Sequence, residues 1–320
     1  MRRGRGFSYR SAAGKPVDDD ETLDRIAALT IPPAWRDVWI CRDPRGHLQA
    51  TGIDDAGRKQ YLYHPAWREQ RDRQKFRDME AFAKALPRLR SSVRGAVSSS
   101  AGLTQERVAA GAVRLLDIGL FRVGGEQYAD EDGGFGLATL TAEHLTLRDG
   151  EALFDYPGKS GVRHQLVISE PNSVALLREL RRRRSGPPEL FAFRDGRSWH
   201  RLGSDGINDY IKANAGEDFS AKDFRTWNAT AYAAARLAAM DRAPVQRSRQ
   251  RVTRAVIGEV AEMLGNTPAV ARRAYVDPRV IDSYLSGSTI DVGVEGIDSL
   301  AELSDRRRRQ VELAVLRLLG

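Results

Sequence analysis

The stretch HLTLRDGEALFDYPGKSGVRHQLVI, residues 144–168, decides how the chain is read. Its Gly158-Lys159-Ser160 ends like a phosphate-binding loop that cradles a nucleotide. Such a loop needs a glycine five positions earlier and a helix directly after it, because backbone N–H groups must wrap the phosphates. Leu153 occupies that earlier position. Downstream, Val162 to Ile168 are apolar mostly at every second residue, the period of a strand. Asp149-Gly150 is a two-residue hairpin signal between two further strand-like runs. Residues 144–168 therefore read as a three-stranded meander with Lys159 at the tip of its second hairpin. A lysine beside glycines at such a tip is either a solvated turn residue or a group delivered to a substrate. The segment alone leaves both open.

Composition narrows the field. The 320 residues suffice for two domains or one large one, and 41% hydrophobic content with 8% aromatic is that of a globular protein. No apolar run approaches a membrane span, and the start MRRGRGFSYR lacks the apolar core of a signal peptide. A cytoplasmic location is the expectation. The lone Cys41 excludes an intrachain disulfide framework and a cysteine-rich zinc site. His47, His64, His144, His164 and His200 show no ligand spacing, so no metal is expected. Lys and Arg number 51 against 43 Asp and Glu, giving +8 and a pI near 9.8. Arginines cluster at 2–3, 181–184, 272–273 and 306–309. This suits a polyanion partner through phosphate neutralisation, and suits equally a chain that is simply arginine-rich.

Along the chain, residues 1–20 read as a flexible arm and 21–85 as a small, mainly β domain with strand-like runs DVWIC, HLQATGID and RKQYLYH. From Pro65 the pattern turns helical, and Pro87 is expected to break it, placing the domain boundary near 80–90. Residues 86–320 read as a mainly helical domain interrupted by the meander. Within it, FRTWNATAYAAARLAAM (224–240) is alanine-rich and suited to close helix packing. Gly265 sits where a left-handed cap ends the preceding helix, and Thr267-Pro268 is an N-cap and first-turn pair. SLAELSDRRRRQVELAVLRLL (299–319) reads as a basic amphipathic helix.

Four local features line up with Lys159. Arg122 precedes a glycine-rich stretch in GLFRVGGEQYADEDGGFGLATL; Lys222 and Arg225 open the alanine-rich helix in AKDFRTWNAT. Asn266 and Tyr275 lie in MLGNTPAVARRAYV, and GRKQYLYHPAW interleaves Lys59, Gln60, Tyr61 and Tyr63 at strand spacing. With these residues in view, the sequence resembles the type IB DNA topoisomerases of the small bacterial and poxvirus branch. The phrases IPPAW, GRKQY, FRVG, GKSGVRH, KDFRTW and LGNTPAVARRAYVDP stand in family order over roughly residues 20–290.

The resemblance implies an α+β protein, with a small β N-terminal domain and a larger helical domain of the tyrosine recombinase and topoisomerase IB catalytic fold. The two would close as a C-shaped clamp on duplex DNA. It implies Tyr275 as nucleophile, Arg122 and Arg225 as clamps on the scissile phosphate, and Lys159 as general acid. Asn266 falls where many relatives carry histidine, and an amide N–H can donate to a phosphate oxygen as an imidazole can. Gln60, Tyr61 and Tyr63, with Lys59 and Lys222, would touch DNA. The enzyme would be an isomerase that relaxes supercoils through a 3′-phosphotyrosyl intermediate. It would act as a monomer on the bacterial nucleoid and need neither ATP nor metal.

Two other readings compete. A tyrosine recombinase shares the chemistry, but its pattern places histidine where Lys222 stands, three residues before Arg225, and its N-terminal domain is normally helical. A non-catalytic DNA-binding descendant is disfavoured because all five expected active positions hold competent side chains.

Overall fold

The meander forms as its turn signals dictate. In the computed structural model, strands β6 (Leu145–Arg148), β7 (Glu151–Pro157) and β8 (Arg163–Ile168) pair antiparallel in the order β6-β7-β8. Asp149 and Gly150 both take positive φ, the geometry a two-residue hairpin turn requires. Across the second hairpin, Arg163 grips Asp155 with two hydrogen bonds of 2.7 and 2.5 Å. Those bonds, then one from Gln165, hold the Asp155 carboxyl down at about 2. The structure describes residues 2–3, 6–99, 102–125, 134–240, 245–293 and 303–320. They divide into two compact units, Met1–Lys75 and Phe76–Gly320.

In the first unit, β1 (Arg2–Arg3) pairs with β2 (Gly6–Phe7) and Arg10 bridges Pro16, so the arm expected to be flexible carries local pairing. Helix α1 (Asp20–Ala28) starts at Asp19, whose carboxylate accepts the Thr22 N–H at 2.8 Å. Strands β3 (Arg36–Ile40), β4 (Leu48–Ile53) and β5 (Lys59–Tyr63) form an antiparallel sheet in that order. The buried Gln49 amide donates to the carbonyls of Asp43, Pro44 and Gly46, fastening the turn before β4.

Helix α2 (Pro65–Val97) corrects the sequence reading, because it runs straight through Pro87. A proline inside a helix costs about 3 kcal/mol through its missing N–H and its ring. Here Met79, Phe82, Leu86, Leu89, Val93 and Val97 form one buried stripe on both sides of Pro87. Each such side chain is worth about 1.5–3 kcal/mol when buried, so the stripe outweighs the proline. The division between units falls between Lys75 and Phe76, ahead of the 80–90 range that Pro87 had suggested.

The second unit is mainly helical. It contains α3 (Gln105–Gly119), α4 (Pro171–Arg181), α5 (Ser204–Ala215), α6 (Ala221–Ala239), α7 (Gln246–Leu264), α8 (Pro268–Ala274), α9 (Pro278–Ser286) and α10 (Asp305–Leu319). A second hairpin, β9 (Ala192–Asp195) with β10 (Ser198–Arg201), was not expected. Helix α6 is buried on nearly every side, and its alanines at 229, 231, 233, 234 and 235 let neighbours approach closely. The stretch expected to be helical from residue 299 is helical from Asp305; 299–302 lie outside the described residues.

Helix α10 does not present its arginine run uniformly to solvent. Arg308 is buried and donates to the Asp117 carboxylate at 2.7 Å, the Asp117 carbonyl at 2.9 Å and the Asn228 amide oxygen at 2.9 Å. Arg90 bridges Asp117 and Glu312 with hydrogen bonds of 2.8–2.9 Å. Burial pushes the Asp117 carboxyl up, but the charges of Arg308 and Arg90 prevail and hold it well below the usual carboxylate range. Residues from α2, α3, α6 and α10 thus share one buried ionic clasp.

Candidate active site

The site grows from a helix corner. Helix α7 ends at Gly265, whose φ of 59° and ψ of 50° are left-handed. The Gly265 N–H donates to the Glu262 carbonyl and the Asn266 N–H to the Ala261 carbonyl, a Schellman ending. Thr267 then caps α8, and Pro268 opens it. The turn leaves the carbonyls of Leu264 and Gly265 as acceptors, and two arginines take them. Arg225 Nη2 donates to Leu264 at 2.7 Å; Arg122 Nη2 donates to Gly265 at 3.2 Å and to Asn266 Oδ1 at 2.8 Å.

Each arginine arrives from a different element. Arg225 lies in the first turns of α6, whose start is tied by the Asp223 carboxylate to the Ser220 N–H at 2.8 Å. Arg122 comes just after α3, which stops at Leu120 in a left-handed conformation (φ 55°). The Leu120 carbonyl accepts from Arg225 Nη1. Burial first, then the Arg122 charge, push the Arg225 guanidinium down to about 10, against an opposing pull from Tyr275. It therefore remains cationic at neutral pH.

Tyr275 caps the end of α8, half-buried, with the Arg225 guanidinium 5.5 Å from its ring centroid. Its carbonyl accepts from Thr230 Oγ1 at 3.1 Å, and the same hydroxyl oxygen accepts the Asp277 N–H at 3.1 Å. Thr230 thereby fixes the main chain around Tyr275. Sequence reading missed it, since a threonine inside an alanine-rich helix carries no motif signal.

Three buried nitrogens at this site have no hydrogen-bond partner among the described residues: Arg122 Nη1, Arg225 Nε and Asn266 Nδ2. Because Asn266 Oδ1 already accepts from Arg122, its amide can offer only donors. Buried polar groups are almost always satisfied, so three donors on neighbouring side chains without a described partner are available to an anionic group. Among the described residues, no group of three or more His, Cys, Asp or Glu side chains is arranged to hold a metal ion.

Lys159 stands exposed in the β7–β8 turn, beside a left-handed Ser160 (φ 60°). Two neighbours place that turn. The Phe135 N–H donates to Pro157 at 2.8 Å, and a Cβ on Gly134 would meet the Gly158 carbonyl oxygen at 2.7 Å. The Arg122 carbonyl accepts from Leu137 in the same glycine-rich strip; residues 126–133 of that strip lie outside the described residues. Lys222 is exposed in the first turn of α6.

The remaining residues singled out from sequence lie on β5 of the first unit. Lys59 Nζ sits 5.9 Å from the Tyr61 ring, Tyr61 stacks on Tyr63 at 6.2 Å, and Tyr63 stacks on Trp67 at 4.4 Å. Gln60 belongs to the alternate set of the strand and donates to the Asp54 carboxylate at 2.8 Å. No helix among the described residues is long and apolar enough to cross a membrane.

Residues 64–285 match the family model described as eukaryotic DNA topoisomerase I, catalytic core, and residues 6–54 match that of the bacterial DNA topoisomerase IB N-terminal domain. The chain is 30% identical over 274 residues to DNA topoisomerase 1B of Acanthamoeba polyphaga mimivirus, covering 82% of this chain and 80% of that protein. It is 22% identical over 296 residues to DNA topoisomerase 1B of vaccinia virus (strain Copenhagen), covering 90% of each. DNA topoisomerase 1 of Candidozyma auris is 29% identical over 252 residues, 71% of this chain and 31% of that protein.

Proposed function

The chain belongs to the type IB DNA topoisomerase family, an isomerase class, and on that premise we propose which of its residues carry out the reaction. Tyr275 attacks a phosphodiester of duplex DNA, forming a 3′-phosphotyrosyl link and releasing a 5′ hydroxyl. Torsion relaxes by rotation about the intact strand, and the 5′ hydroxyl reverses the step. The ester bond is conserved and the supercoils supply the free energy, so neither ATP nor metal is needed.

Arg122 and Arg225 hold the non-bridging oxygens, since a guanidinium donates in a planar fork and keeps its charge. Asn266 adds a neutral donor. Lys159 protonates the leaving 5′ oxygen, which is a poor leaving group as an alkoxide. Lys222 and the Lys59–Tyr63 strand touch the duplex, around which the two units close as a clamp. The observation carrying this reading is the set of unpartnered donors on Arg122, Arg225 and Asn266 beside Tyr275.

The test is to denature a cleavage reaction and look for protein covalently attached to DNA. Wild type is expected to give the adduct in chelator and without ATP, and Tyr275→Phe to give none. An adduct with Tyr275→Phe places the nucleophile elsewhere. Lys159→Ala is checked separately on a substrate whose 5′ leaving oxygen is replaced by sulfur, which needs no acid. Selective rescue supports the acid role, and equal impairment on both substrates removes it.

A further inference from the structure

One imidazole occupies the space that a side chain would need at two distant glycines. A Cβ at Gly158 would come within 2.4 Å of His164 Cδ2 and 2.7 Å of Nε2. A Cβ at Gly265 would come within 2.3 Å of Cε1 and 2.8 Å of the same Nε2. The ring edge therefore lies between the backbone of the Lys159 turn and the backbone of the Asn266 corner. Its face stacks on Tyr156 with centroids 5.4 Å apart and planes 20° apart. Tyr156 stacks in turn on Phe121, the residue before Arg122.

We propose that His164 is a positioning residue whose ring sets the spacing between the Lys159 hairpin and the Arg122–Asn266 corner. Proton donor and phosphate clamp then act on one phosphodiester. This rests on the reading of Lys159 as general acid. Among the described residues, the charged groups that act on the ring are Arg122 and Arg225; burial, then those two charges, lower the His164 pKa and favour the neutral ring. It acts as a spacer that adds no charge to a site already carrying two cations. The spacer also accounts for Gly158, which is not left-handed (φ −92°), so the imidazole rather than the backbone excludes a side chain there; at Gly265 the left-handed backbone already favours glycine.

The test is single-turnover cleavage by His164→Ala, Lys159→Ala and the double variant, on duplexes with a 5′-oxygen or a 5′-sulfur leaving group. His164→Ala is expected to slow the oxygen substrate by about 10²-fold, the cost of a catalytic group misplaced by about 1 Å. The sulfur substrate should change by less than about threefold, because no acid is needed there. On oxygen, the double variant should be no slower than Lys159→Ala alone. Equal slowing of both substrates by His164→Ala, or losses that multiply in the double variant, would overturn the proposal. If Lys159→Ala itself slows both substrates equally, the acid reading fails instead, and non-additivity on oxygen still decides whether His164 acts through the hairpin. Should His164→Ala fold poorly by thermal melting, Gly158→Ala displaces the ring from the other side, and the same oxygen-selective loss is expected. Full activity of Gly158→Ala on both substrates would sink the idea.

Discussion

Arg90 and Arg308 face Asp117 and Glu312 in the second unit, with ion pairs of 2.7–2.8 Å between Arg90 and each acid and between Arg308 and Asp117. Arg122 and Arg225, in the same unit, are held by neutral acceptors: carbonyl and amide oxygens and, for Arg225, also the Tyr275 side chain. The side chain is the same, and in each place one arginine is buried and the other partly buried. In the clasp, carboxylates cancel the charge and the arginines hold helices together. At the corner, neutral oxygens fix the guanidinium geometry, and no ion pair with a carboxylate among the described residues cancels the charge. An arginine's charge is thus cancelled or left available by whether its acceptors are charged.

The comparison can be broken at either end. Asp117→Ala leaves two buried cations with one fewer anion and should cost about 3–5 kcal/mol of stability, read from urea midpoints. Cleavage per folded molecule should stay near wild type. Arg225→Ala should do the reverse, lowering single-turnover cleavage by about 10²–10³, roughly 3–4 kcal/mol of transition-state stabilisation, with the melting temperature unchanged or raised. If Arg225→Ala destabilises as much as Asp117→Ala, the two clusters do not differ as argued.

Asn266→Asp makes the corner resemble the clasp by giving Arg122 a carboxylate at nearly the same position. Cleavage should fall by about 10²-fold, the effect of losing one phosphate donor. Asn266→His keeps a donor and should retain most activity; a drop beyond about a hundredfold would argue against a simple donor role.

The smallest effect is pH-dependent. The folded His164 pKa lies below its ordinary 6.5 because of burial and then the charges of Arg122 and Arg225; Tyr156 also faces the ring. Between the folded and unfolded values the unfolded chain binds more protons, so stability is full above about pH 6.5 and falls as pH drops through the folded value. His144, also lowered by burial, adds to the slope. The urea midpoint should therefore fall between pH 7.5 and 5.5, and fall less in His164→Ala.

Much of this was legible where the deciding chemistry is local. Asp149-Gly150 marked the meander, and Thr267-Pro268 and Gly265 marked the corner. The family resemblance of their motifs singled out Arg122, Arg225, Asn266 and Tyr275, which the fold brings together. The illegible parts depend on distant partners. Pro87 reads as a breaker until the stripe that buries its helix is known. The β9–β10 hairpin turns at Gly196-Arg197, with Gly196 at positive φ, but its four-residue strands are too short to show a period. The 306–309 run read only as part of a basic amphipathic helix, because Asp117 lies 191 residues from Arg308. His164 entered only as a histidine without ligand spacing, since a spacer between two glycines has no sequence signature.

The clasp also sets an order of assembly. Asn228 and Trp227, just past Arg225, are tied to Asp117 and, through α10, to Arg308 and Glu312. At about 5–20 residues per second of synthesis, the 191 residues between Asp117 and Arg308 take roughly 10–40 s. During that interval the growing chain comes to carry Arg122, Lys159, Arg225, Asn266 and Tyr275, while the helix bearing Arg225 still lacks its last two anchors. Until α10 has been made, Trp227 and Asn228 in the helix bearing Arg225 lack their partners Glu312 and Arg308, although Arg122, Lys159, Arg225, Asn266 and Tyr275 are already in the chain.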